Sequence, residues 1–196
     1  MVSSAIQRLN DRRSGAGESG DDAGFTLIEL MVVLLILAIL LAIAIPTFLG
    51  VTKSANDRAA QSNLNTALVN AKAAFQQNQQ SYTGVNTTTL SSAEPSLSYT
   101  TGNSSAQGTI SMFESSDGFG VVLTAYSKSG NCWILADNTQ AITAGVGPYT
   151  NSTPTAGLVP VAPGTQYGKI ANATAANCVA SGPLTGATFQ TTGFPS

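Results

Sequence analysis

Hydrophobic and polar positions divide this chain into two textures that meet near Pro46. From Phe25 to Ile45 the residues are apolar almost without exception, and Glu29 is the one charge among them. That run is close to the ~20 residues a helix needs to cross a bilayer. From Lys53 onward the apolar positions become periodic. Ala60, Leu64, Ala67, Leu68, Ala71 and Phe75 fall on one helical stripe, with Gln61, Asn65, Asn70 and Lys72 elsewhere. Together the two patterns predict one helix from about Phe25 to about Gln79, at ~1.5 Å per residue roughly 80 Å long. Pro46 should bend it, because proline removes a backbone donor and crowds the preceding turn, and Gly50 weakens the same region.

Beyond the helix the spacing becomes that of strands and turns. Thr109 to Glu114, Gly120 to Ser127 and Cys132 to Ala136 read as strands, with turns at Ser116-Asp117-Gly118 and Lys128-Ser129-Gly130-Asn131. The stretch from Gln80 to Gln107, rich in Ser, Thr and Asn, reads as a loop over the helix–sheet junction. From Gly145 the chain is dominated by Pro, Gly, Thr and Ala, with short strands expected near Leu158–Val161 and Tyr167–Ile170. The fold class is therefore α+β. A long N-terminal helix, transmembrane in its first half and amphipathic in its second, packs on a small antiparallel sheet.

Charge narrows the function. Charged residues make up 9% of the chain and the formal net charge is −2. After Gly24 the basic residues are Lys53, Arg58, Lys72, Lys128 and Lys169, and they form no cluster along the sequence. Nucleic-acid affinity rests on phosphate neutralisation, so strong direct nucleic-acid binding is not expected. Histidine is absent, which removes His-based acid–base catalysis and His-ligated metal sites. No phosphate-binding glycine loop and no nucleophile-elbow motif is present. The sequence argues for no enzyme and no cofactor.

Glu29 then becomes the most informative residue. A carboxylate inside an apolar span costs about 2.5–3.5 kcal/mol on insertion scales, so it is read as functional. The small residue that could mark a cut, Gly24, precedes the apolar run. An ordinary secretory signal has its cut after the apolar region and is wholly removed. A cut after Gly24 would discard a polar leader and keep the helix. Gly24-Phe25-Thr26-Leu27-Ile28-Glu29, the apolar run and Pro46 together resemble the N-terminus of a type IV pilin. In that family a prepilin peptidase cuts after the glycine, the new terminus is N-methylated and the glutamate directs assembly. The resemblance thus implies cleavage between Gly24 and Phe25, methylation of Phe25 and an assembly role for Glu29. The leader mixes Arg8, Arg12 and Arg13 with Asp11, Glu18, Asp21 and Asp22, which is similar to pilins of Gram-positive bacteria, actinobacteria in particular. Three arginines before the span, against Lys53 and Arg58 after it, favour a cytoplasmic leader, and the resemblance implies the same.

The resemblance implies this organisation: a leader over 1–24, a membrane and filament-core helix over 25–46, an amphipathic half over 47–80 and an extracellular β-rich head over 81–196. The implied partners are other copies of the chain, the prepilin peptidase, membrane lipid before assembly and, indirectly, the assembly platform and its ATPase. The implied function is a structural subunit of an extracellular pilus serving adhesion, motility or DNA uptake. Two rivals stand beside it: a pseudopilin of a secretion or competence apparatus, and a single-pass surface protein whose head binds a ligand or acts as an enzyme.

Cys132 and Cys178 both lie in the proposed exported head. An even number of cysteines in an exported domain argues for a disulfide, with two separate buried thiols as the alternative. Family resemblance supports the bond, since many pilins staple the C-terminal part of the head. Glu114, Asp117 and Asp137 could approach one another and hold calcium, but scattered carboxylates more often serve turns and solvated faces, so no metal is expected. Asn86, Asn103, Asn151 and Asn172 each begin an N-glycosylation sequon, in a sequence where chance matches abound.

Overall fold

The computed structural model describes residues 25–142, 147–149 and 159–195. Gly24 and the leader, the Asn151 sequon and Leu158 lie outside them. The chain divides into two compact units at Thr47/Phe48. One helix, α1 (Leu27–Gln77), contributes to both.

In the first unit α1 is apolar on every side and long and apolar enough to cross a membrane. Pro46 lies within it. The Thr47 hydroxyl donates to the Ile43 carbonyl at 3.0 Å, and the Thr52 hydroxyl to the Phe48 carbonyl at 2.8 Å. Such back-bonding threonines satisfy carbonyls on either side of Pro46 and Gly50, two poor helix formers.

In the second unit the amphipathic part of α1 buries Ala60, Leu64, Ala67, Leu68, Ala71 and Phe75, the whole predicted stripe. Three alanines and two leucines in that stripe favour helix, and the alanines allow close approach to the sheet. The helix stops at Gln77. Gln79 and Gln80 take left-handed conformations, φ 53° and 61°, and the Gln80 amide caps the Phe75 carbonyl at 3.0 Å.

Six strands follow: β1 (Ser98–Thr100), β2 (Thr109–Glu114), β3 (Gly120–Tyr126), β4 (Cys132–Asn138), β5 (Gly164–Ile170) and β6 (Thr188–Gln190), in that spatial order. All neighbours are antiparallel except β1 and β2, which are parallel. Met112, Leu123, Leu135 and Tyr167 form one cross-strand row, in a single core with the α1 stripe. Val122, Ile134 and Ala136 belong to the opposite core, with Ile142, Tyr149, Val159, Ile170, Ala180 and Leu184. A sheet covered on both faces explains why all seven residues of β4 are buried.

Two expectations need correction. The stretch from Gln80 to Gln107 is not simply a loop: it holds α2 (Thr87–Ala93) and β1. Asn86 starts α2, its Oδ1 accepting from the amides of Thr88 and Thr89, both at 3.0 Å, and Leu90 is its one buried residue. The expected α+β fold with an antiparallel sheet is present apart from the parallel pair β1–β2, whose connection is braced by buried Ser104. Its hydroxyl donates to the Thr109 carbonyl at 2.5 Å and accepts from the Tyr126 amide at 2.8 Å. Val159 to Val161 is not a strand; its backbone makes isolated bonds to Pro148 and Ile142.

Candidate assembly segment

Phe25 to Val51 exposes its large apolar side chains throughout, at 48–83% of their full area. At the head of this segment Thr26 and Glu29 form a reciprocal capping box. The Glu29 carboxylate accepts from the Thr26 amide at 2.9 Å and the Thr26 hydroxyl at 2.7 Å, while the Glu29 amide donates to that hydroxyl at 3.3 Å. The carboxylate thus satisfies a donor that the helix cannot, and it lies at the positive end of the helix dipole. The Thr-x-x-Glu spacing could have been read from the sequence, but the charge in an apolar run drew attention to burial instead.

Two further carboxylates organise the head. Asp57, half-buried on α1, accepts from Trp133 Nε1 at 3.0 Å, from Asn131 Nδ2 at 3.0 Å and from the Ser129 hydroxyl. Burial alone would raise its pKa. Hydrogen bonds from Ser129, Trp133, Ser127 and Asn131 outweigh that and hold the carboxyl below its ordinary value. Asp137, buried on β4, accepts from the Tyr82 hydroxyl at 2.7 Å and the Thr165 hydroxyl at 2.6 Å, and pairs with Lys72 at 2.9 Å. Burial pushes its carboxyl up as well, but those bonds and the Lys72 charge leave it lowered. Burial, and then the Asp137 charge and hydrogen bond, push the Tyr82 phenol well above its ordinary value. No local sequence signal marks Asp57 as a partner of the β3–β4 hairpin or Asp137 as a partner of Lys72 on the helix.

The carboxylates considered for calcium are otherwise engaged. Glu114 accepts from the Gly84 amide at 3.0 Å, and Asp117 braces its turn through Ser115 and the Phe119 amide. Among the described residues no three His, Cys, Asp or Glu side chains converge as a metal site. Cys132 and Cys178 form a disulfide with Cα atoms 5.5 Å apart. It ties β4 to the chain that covers the sheet's outer face. Of the sequons, Asn86 caps α2, Asn103 precedes the buried Ser104, and Asn172 sits exposed with φ 52°.

The prokaryotic N-terminal methylation motif matches residues 20–45. Over 60 residues the chain is 47% identical to the type IV wide pilus major component PilA4 of Thermus thermophilus. That match covers 31% of this chain and 45% of the relative, so it spans less than half of the relative's length. No solved structure matches the chain. In a methylation motif that opens onto an apolar helix, followed by an α+β head, the chain is similar to the type IV pilins.

Proposed function

We propose that this chain is a type IV pilin that polymerises through Phe25–Ile45 into an extracellular filament. One observation carries the reading: the exposed apolar surface that runs along α1 from Leu27 to Val51. Patches of this extent on soluble monomers mark interaction or membrane surfaces. Burial of a single large apolar side chain is worth about 1.5–3 kcal/mol, so a few side chains per subunit suffice to drive association. Lipid covers the segment in the precursor, and neighbouring helices cover it in the fibre.

In this reading residues 1–24 form a cytoplasmic leader, cut after Gly24 by a prepilin peptidase. Phe25 becomes the N-methylated terminus, and an assembly platform and its ATPase draw the subunit from the membrane. Pro46 bends the helix between the filament-core part and the head. Glu29 supplies alignment. Once cleavage creates the Phe25 amino group, that cation is a partner for the carboxylate within the subunit or in the next one. A buried carboxylate without a partner is costly, which favours the register that provides one. The test is a strain whose sole copy carries Glu29→Leu. The more apolar helix still inserts and is still cleaved, and surface filaments are lost or greatly reduced. Normal piliation of that strain overturns the assignment.

A further inference from the structure

α1 reaches the core of the head only at Ala60, its first buried residue. Phe48 to Ala55 are exposed, and Asn56 and Asp57 are half-buried. Among the described residues, Asp57 is the one side chain between Phe48 and Ala59 that hydrogen-bonds outside the helix. Its donors all come from one hairpin. Ser129 and Asn131 stand in the β3–β4 turn, and Trp133 is the second residue of β4. The turn is closed on itself independently of the helix. Ser127 N donates to Asn131 O at 2.8 Å, Gly130 N to Ser127 O at 3.0 Å, and Ser129 N to the Ser127 hydroxyl at 3.2 Å. Gly130, at φ 92°, supplies the left-handed residue the turn needs. The backbone that carries the donors is therefore shaped by bonds that do not involve the helix.

We propose that Asp57 is a conformational latch: its carboxylate, seated among Ser129, Asn131 and the Trp133 indole, fixes the helix ahead of Ala60 to the β3–β4 turn. The point at which α1 becomes rigidly part of the head is then set by one carboxylate instead of by the apolar core. The large apolar side chains of the latched stretch, Phe48, Leu49 and Val51, are already exposed, so opening it uncovers none of them. Opening therefore disrupts hydrogen bonds and leaves the packed stripe from Ala60 to Phe75 in place. The latch is selective for a carboxylate. Ionised Asp57 is acceptor-only through both oxygens, whereas an asparagine there keeps one acceptor oxygen and presents donors to donors. This inference concerns the head alone and stands apart from polymerisation.

The test uses the full chain in detergent micelles. In Asp57→Asn, amide hydrogen exchange in peptides covering residues 50–59 rises roughly tenfold or more, about the factor that one net hydrogen bond gives. Peptides from β3 and β4 keep their wild-type rates. Trp133 is the sole tryptophan, so its indole N–H resonance reports the latch directly. In the variant that resonance shifts and exchanges faster. Should Asp57→Asn fail to fold, Ser129→Ala/Asn131→Ala removes two donors and leaves the carboxylate, and gives the same pattern at smaller amplitude. Unchanged exchange over 50–59 overturns the proposal. So does acceleration spread evenly over the head, which would make Asp57 an ordinary contributor to stability.

Discussion

Removing the Cys132–Cys178 bond should cost the head a large part of its stability. The bond closes a loop of 46 residues. In the chain-entropy treatment a loop of that length corresponds to about 4 kcal/mol at 25 °C. The loop contains β5 and much of the layer over the sheet's outer face, including Val159, Ile170 and Ala173. Among its described residues outside β5 that layer has little regular hydrogen bonding of its own. Among the described residues its other links to the sheet are Asn138 Nδ2 to the Pro160 and Ala162 carbonyls at 2.8 and 3.0 Å, the Tyr149 hydroxyl to Asn138 Oδ1 at 2.8 Å, and Ala180 N to Ser111 Oγ at 2.9 Å. Both cysteines are fully buried, so serine at either position would add the cost of burying a hydroxyl. Cys132→Ala/Cys178→Ala avoids that term and is the cleaner perturbation. Urea unfolding of the oxidised wild type and the double variant, followed by Trp133 fluorescence, measures the difference. With an m-value of about 2 kcal/mol/M the midpoint should fall by about 2 M. The helix stripe from Ala60 to Phe75 should remain helical by circular dichroism at low urea. A midpoint shift below about 0.5 M would refute the reasoning, because it would mean that the outer layer is held without the cross-link.

Asp137→Ala removes the partner of Lys72, Tyr82 and Thr165 at once; Lys72 is half exposed and can turn to water, so the cost is mainly that of the orphaned Tyr82 hydroxyl, about 1–3 kcal/mol, read as a fall in the thermal midpoint. The pKa of Asp137 is lowered by folding. Its contribution is therefore present above the unfolded value of about 3.9 and is lost as pH falls through the folded value. The urea midpoint should drop on acidification below about pH 4, and Asp137→Asn should flatten that slope. The Tyr82 and Tyr149 phenols are raised by burial, so stability present below about pH 10 should be lost as pH climbs further. Gly120→Ala should destabilise by about 1–3 kcal/mol in the same assay. A Cβ there would come within 2.7 Å of the Tyr149 hydroxyl and 2.8 Å of Ile142 Cδ1. Thr26→Ala breaks the capping box and should fray the first turn of α1 by about 0.5–2 kcal/mol, visible as faster exchange of the Glu29 amide.

The parts of the fold legible in the sequence are those in which local pattern and tertiary packing agree. The α1 stripe is written at helical spacing in residues that also favour helix. β2, β3 and β4 are short apolar runs separated by turns with glycine at left-handed positions. What escaped the sequence depends on distant partners. α2 reads Thr-Thr-Thr-Leu-Ser-Ser-Ala, a poor helix by propensity, and forms through the Asn86 cap and the burial of Leu90. β1 and β6 are three-residue edge strands, too short for an alternation to mark them, and are held by the neighbour each pairs with and by Tyr99 and Phe189 packing on the two cores. The outer layer spaces its apolar residues singly among Gly, Pro and Thr, so no period marks it. Asp57 looks like any surface charge on a helix until the hairpin more than seventy residues away brings its donors. Glu29 stood out because its neighbours are apolar, and its bond to Thr26 lies within one turn.

The central claim is that a cleaved subunit beginning at Phe25 builds a filament through its apolar helix. Electron microscopy of filaments sheared from cells, with mass spectrometry of the N-terminal peptide of their subunit, tests it most directly. The account predicts fibres whose subunit is this chain, starting at an N-methylated Phe25. Fibres whose subunit begins upstream of Phe25, or a cleaved chain that stays in the membrane while fibres contain another protein, would contradict it.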